Sequence, residues 1–380
     1  MNSCTSFTDS LKQWFMATCL MLIVAFAAYP QNNQNIPQPT ADSIHMLVLG
    51  DSILWGQGLK SEHKSWYLVK LWLEKTTGRR VIERIEAHSG AIILRSSVTN
   101  NRTVDNPEVN IGSPTVQEEL DTALRSYPDP KLINLVLVSG CGNDVGVQNL
   151  LNADKTSDVD DMTEAKCGKP MADLLARIVR SFPSAQVIVT GYYPFFSEKT
   201  RNDFIVKALA QRFFKNQKQG GLTMSSNEVL ERLKINSKQW YETSNKALGE
   251  AVRKTNAQVG VERVMFAKID FPADYSFAAP KSHLWGINRS PFRMMALLLS
   301  FGKVLLPTND EVRRQRTASC NELYAEKPNE TPEQKKQRKA SRLWCRYAAL
   351  GHPNRRGARL YADAITNILS SRFIVAAPAH

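Results

Sequence analysis

Five short apolar-rich runs recur along this chain, and segments of helical period separate them. The runs are residues 44–49, 81–85, 132–139, 185–190 and 264–267. Residues 66–77, 115–126, 171–182, 240–256 and 357–371 read as the intervening and closing helices. In the first of these, Trp66, Val69 and Leu73 recur at helical spacing, and Gly78 marks its end. Strands that alternate with helices predict an α/β fold, with a parallel sheet between two helical layers. A chain of 380 residues allows one large domain or two modest ones. No internal repeat and no independent second domain is visible.

Two stretches break the rhythm. Residues 197–238 are polar, Lys-rich and interrupted by glycine, and residues 308–344 are strongly charged. Both read as insertions into one domain running from 44 to 380. Before that domain, residues 1–27 read as a signal peptide. Lys12 precedes an apolar stretch, and Ala25-Phe26-Ala27 supplies small residues for cleavage. The stretch is shorter than the ~20 residues of a membrane span, although an uncleaved anchor is the alternative. Residues 28–43, rich in Pro, Gln and Asn, read as a linker. The expected location is secreted or periplasmic.

The chain holds six cysteines, and cleavage would remove Cys4 and Cys19. An even number then remains in an exported chain, which predicts two disulfides. Sequence proximity favours Cys141 with Cys167 and Cys320 with Cys345, out of three connectivities. The formal net charge of +13 favours an anionic surface or polymer as partner. No phosphate-cradling glycine loop and no metal-ligand spacing is present, so no cofactor, no metal and no nucleic-acid partner is expected.

Chemistry concentrates at the strand ends. The first run closes on Gly50-Asp51-Ser52-Ile53, and the third leads into Gly142-Asn143-Asp144. Ser89-Gly90-Ala91 follows the second run, and Gly351-His352-Pro353-Asn354 precedes the last helix. Open α/β sheets carry their sites just beyond the carboxyl ends of the strands. Acyl transfer needs a hydroxyl, a base and donors for an oxyanion, and these four places supply them. Singly, each has an ordinary reading. Ser52 reads as a helix cap, Gly90 and Asn143-Asp144 as turns, and His352 as a loop histidine.

With these four blocks, the chain resembles the SGNH hydrolases, also called the GDSL esterase/lipase family. The resemblance runs from about residue 44 to the C-terminus, less the two insertions. It implies a flavodoxin-like three-layer sandwich with a five-stranded parallel sheet. It also implies Ser52 as nucleophile and His352 as base. The oxyanion hole would then be formed by Gly90, Asn143 and the Ser52 N–H. Two positions depart from the family. Ala349 stands where an Asp usually lies, three residues before the histidine, so a backbone carbonyl in the 346–350 loop is expected to orient His352. Asp270, Asp274 and Asp363 are the other carboxylates weighed for that role. Cys141 stands where the family usually has glycine.

The expected activity is that of a serine esterase acting on carbohydrate or cell-envelope acyl esters. The alternatives are a lipase or lysophospholipase, an inactive glycan-binding protein, and an acyltransferase with the same residues. The substrate is expected to be a small-molecule or polysaccharide ester. Arg355 and Arg356 flank the histidine loop and are expected to meet it. No segment reads as an apolar lid.

Overall fold

Successive residues of the central strands feed two separate cores. Leu47, Leu49, Val136 and Val138 join one core, whereas Met46, Val48, Leu135 and Leu137 join the other. A strand that is buried on both faces is apolar along most of its length, and Met46–Leu49 and Leu135–Val138 are. The computed structural model describes residues 43–94, 106–109, 111–127, 129–213, 218–219, 222–290, 292, 295, 299 and 308–373. The chain divides into units 1–41 and 42–380, and the described residues all lie in the second. The predicted signal peptide and all but the last residue of the predicted linker lie outside them.

The main sheet contains β1 (Ser43–Leu49), β2 (Arg80–Ile85), β3 (Ile133–Val138), β4 (Gln186–Thr190) and β5 (Val264–Ala267). All pairings in it are parallel, in the order β2-β1-β3-β4-β5. The order reverses between β1 and β3, which opens a crevice at their carboxyl ends. Helix α1 (Ser52–Trp55) starts in that crevice, and α2 (Ser65–Thr77) follows. On the other flank, α3 is Val116–Ser126, and the short α4 (Gly142–Val145) and α5 (Val147–Leu150) follow β3. Helices α6 (Val159–Cys167) and α7 (Lys169–Ser181) precede β4. Helices α8 (Phe204–Phe213) and α9 (Ser226–Val259) precede β5. The chain closes with α10 (Arg313–Leu323), α11 (Pro332–Arg346) and α12 (Arg355–Phe373).

Trp66, Val69 and Leu73 of α2 share one core with Ala362, Ile365 and Leu369 of α12. Helices α3, α7 and α9 cover the opposite face through Leu120, Leu174 and Leu248. The sandwich therefore has the three layers that the sequence implied.

One element is much longer than its sequence suggested. Helix α9 has 34 residues and begins fourteen residues before the predicted start at 240. Its first turns are Lys- and Glu-rich and lie within the stretch read as an insertion. The start is fixed by a capping box, in which Ser225 accepts from the Glu228 N–H while Glu228 accepts from the Ser225 N–H. The 308–344 stretch holds α10 and most of α11, with Cys320 bonded to Cys345. No helix among the described residues is long and apolar enough to cross a membrane.

Candidate active site

Gly50 turns the chain out of β1 with φ 128°, where a Cβ would lie 2.3 Å from the Ser139 carbonyl oxygen. Only glycine fits that approach. Asp51 then caps α1 by accepting from the Ile53 N–H at 3.0 Å. Ser52 is thus the first helical residue and not the cap, so its hydroxyl is free for other work. His352 Nε2 lies 2.8 Å from Ser52 Oγ, across 300 residues of sequence.

Burial lowers the His352 pKa to about 4, and the positive charge of Arg316 acts in the same direction. The main chain of Ala348, Ala349 and Leu350 pulls the other way. An imidazole held neutral at ordinary pH is ready to accept a proton. Its Nδ1 is buried, and the main chain that acts on the ring belongs to the 346–350 loop expected to orient it. Asp274 pairs with Lys281, Asp363 lines a separate surface cavity, and Asp270 is exposed. The main chain around the ring is itself pinned. Gly351 N–H donates to the Trp285 carbonyl, Trp285 N–H donates to the His352 carbonyl, and Tyr193 OH donates to the Gly351 carbonyl. Gly351 has φ 79°, and a Cβ there would lie 1.8 Å from the Phe195 ring.

Asn143 sits on α4 beside Ser52 and His352 in one cavity. Its side-chain amide donates to the Ala91 carbonyl at 2.9 Å, which fixes the plane of the amide. Gly90, with φ 82°, lies two residues past His88, whose N–H donates to the Gly50 carbonyl, but it does not line that cavity. Cys141 precedes α4 with φ 98° and is bonded to Cys167. Glycine adopts such a positive φ freely, whereas here the bond to α6 holds a cysteine in it.

The sequence reading missed the scaffold behind the serine. Asp51 is fully buried and accepts from Ser139 Oγ at 2.7 Å and from Tyr192 OH at 2.5 Å. Burial raises its pKa, while the hydrogen bonds from Tyr192 and Ser139 oppose the rise. Tyr192 OH in turn accepts from the Gly142 N–H. One carboxylate therefore ties together the ends of β1, β3 and β4. Ser139 closes one predicted strand and Tyr192 lies just past another, which was the available signal.

The cavity at Ser52 measures about 120 Å³ and has apolar walls that include Leu150, Tyr193, Phe195 and Trp240. Arg355 and Arg356 are not part of it. They line another cavity with His63 and His283, and Arg355 pairs with Glu311. They lie at the start of α12, after the chain has left the histidine loop. Among the described residues, no group of three or more His, Cys, Asp or Glu side chains is placed to hold a metal ion.

The resemblance to SGNH hydrolases read in the sequence extends to the sheet order and the layers. No protein-family model and no curated protein sequence matches the chain. Among solved structures, the chain is similar to phospholipase A1 from Streptomyces albidoflavus, at 17% identity and TM-score 0.39. That alignment covers 65% of this chain and 88% of the other. An extracellular lipase from Streptomyces rimosus aligns at 15% identity and TM-score 0.38, over 63% and 87% of the two chains. A family two carbohydrate esterase from Clostridium thermocellum, an active-site mutant, aligns at 10% identity and TM-score 0.41. It covers 89% of this chain and 65% of its own.

Proposed function

We propose that the protein is a serine esterase that removes short acyl groups from carbohydrate or cell-envelope esters. The observation that carries this reading is the 2.8 Å contact between Ser52 Oγ and a neutral His352 Nε2. Ser52 attacks the ester carbonyl while His352 takes its proton. The oxyanion is held by the Asn143 amide and the N–H groups of Ser52 and Gly90. Collapse of this intermediate expels the alcohol, which leaves with the proton from His352. Water, activated by the same imidazole, then cleaves the acyl-enzyme.

The small cavity supports a short acyl group, since pockets for drug-sized ligands measure about 300–1,000 Å³. A fluorophosphonate probe followed by peptide mapping tests the mechanism. Modification at Ser52 is expected, and an unmodified Ser52 in folded protein would rule the mechanism out.

One observation favours a second reading. Phe292, Met295 and Leu299 are 80%, 56% and 73% exposed and lie at helical spacing. Large apolar side chains in water suit a lipid surface, and hence a lipase or lysophospholipase. A series of p-nitrophenyl esters separates the two readings. Turnover highest with acetate supports the first, and turnover highest with long chains supports the second.

A further inference from the structure

Helix α1 separates two cavities. Ser52 and Ile53 line the small apolar one, whereas Trp55 lines another of about 760 Å³. The two share no lining residue among those described. The larger cavity carries the Gln315 amide and the Asn106 amide, which keeps one N–H to spare after donating to Ser319 Oγ. Lys64 lies in its wall and is 2% exposed. The Lys64 stem passes over Gly56, where a Cβ would lie 2.7 Å from Lys64 Cγ. Its ammonium sits 3.1 Å from the centre of the Trp55 ring.

That ammonium has three N–H donors, and no oxygen accepts from them among the described residues. Glu108 is the carboxylate that acts on it, but Glu108 is already saturated. It accepts from Trp55 Nε1, Gln57 Nε2, the Gly58 N–H and Arg316 Nη1. A carboxylate offers about four such sites. Burial lowers the Lys64 pKa to about 7 even with Glu108 opposing the shift. Buried charges in proteins are normally paired and hydrogen-bonded. The Trp55 ring meets one side of the ammonium, which leaves N–H donors for an anion in the polar cavity whose charge would hold Lys64 protonated.

That anion carries a single charge. Glu62 and Glu322 share the cavity wall with Lys60 and Lys64, while Glu108 is paired with Arg316, so the wall has little charge to spare for a doubly charged phosphate. The amides suit a ring of hydroxyl groups, and the overall charge of +13 draws in polyanions. We propose that this cavity binds a carboxylate-bearing sugar unit of a polysaccharide, with Lys64 pairing the carboxylate and Asn106 and Gln315 meeting the hydroxyls. Its role as part of the substrate site rests on the esterase reading. The binding itself does not.

Calorimetry on the full chain carrying Ser52→Ala tests binding without turnover. Tetragalacturonate is expected to bind at least about tenfold more tightly than cellotetraose or inorganic phosphate. Adding Lys64→Met is expected to weaken tetragalacturonate by a similar factor. Equal binding of the two sugars, tighter binding of phosphate, or no effect of Lys64→Met would overturn the proposal. Should Lys64→Met not fold, reductive methylation of the unmutated protein gives the answer. Tetragalacturonate is expected to protect Lys64 and leave Lys60 reactive, and equal labelling of Lys64 with and without it would overturn the site. If p-nitrophenyl acetate is not cleaved by the unmutated protein but tetragalacturonate still needs Lys64, this proposal stands and the esterase reading falls.

Discussion

Removing the Ser52 hydroxyl should abolish turnover and cost little stability. Its one hydrogen-bond partner among the described residues is His352, and Asp51 does the capping. Ser52→Ala should therefore unfold in urea within about 0.5 kcal/mol of the parent. Retained turnover of p-nitrophenyl acetate would remove Ser52 from the mechanism. The depressed pKa of His352 has a second consequence. The base stays neutral through pH 5–8, so kcat/KM should be flat there and fall only as the pH approaches 4. An acid limb near 6.5 would contradict the burial argument. The linkage has a definite sign. The unfolded histidine binds its proton near 6.5 and the folded one near 4, so its contribution to stability is full above 6.5. That contribution drains away as the pH falls through 4. That Ser52, Asn143 and His352 come together in one cavity was legible because each sits in a short motif at a strand or helix end. Tyr192 was not, because its role exists only through Asp51, which lies 141 residues away.

At the scale of elements, the histidine loop is set by packing and by main-chain bonds. Ala349 is fully buried and packs with Leu59, Trp285 and Ala358. Placing the family carboxylate there should bury an acid among apolar side chains. Ala349→Asp should lower stability by ~1–3 kcal/mol and bring no gain in kcat, as denaturation and turnover would show. A faster enzyme would mean the side chain reaches Nδ1. Cys141 makes a related point for α4. Replacing Cys141 and Cys167 by alanine should cost the ~2–4 kcal/mol of a typical disulfide. Using Cys141→Gly with Cys167→Ala should recover about 1 kcal/mol of that, because glycine accepts the positive φ. Equal urea midpoints for the two pairs would argue against strain at residue 141. The strands were readable because burial on both faces makes them apolar. The first turns of α9 were not, because they are amphipathic and rich in lysine. Their capping box at 225–228 was the signal that went unread.

Across the whole molecule, one buried arginine docks the charged 308–346 stretch onto the sandwich. Arg316 is fully buried and donates to both oxygens of Asp310, to Glu108 and to the Arg346 carbonyl. Arg316→Met would leave two buried carboxylates without their cation and should cost ~3–5 kcal/mol. It should also raise the acid limb of the pH profile, since Arg316 holds the His352 pKa down. An unchanged limb in folded protein would show that Arg316 does not act on the ring. Composition could not reveal this cluster, because a charge-rich stretch looks solvated until its partner 208 residues upstream is known. The contact between residues 52 and 352 has a consequence for synthesis. Ser52 is made 300 residues before His352, so a chain stalled or clipped between the two has the proposed nucleophile without its base. On the proposed esterase reading, a simple colour assay would then count only molecules that have been made past residue 352 and have folded.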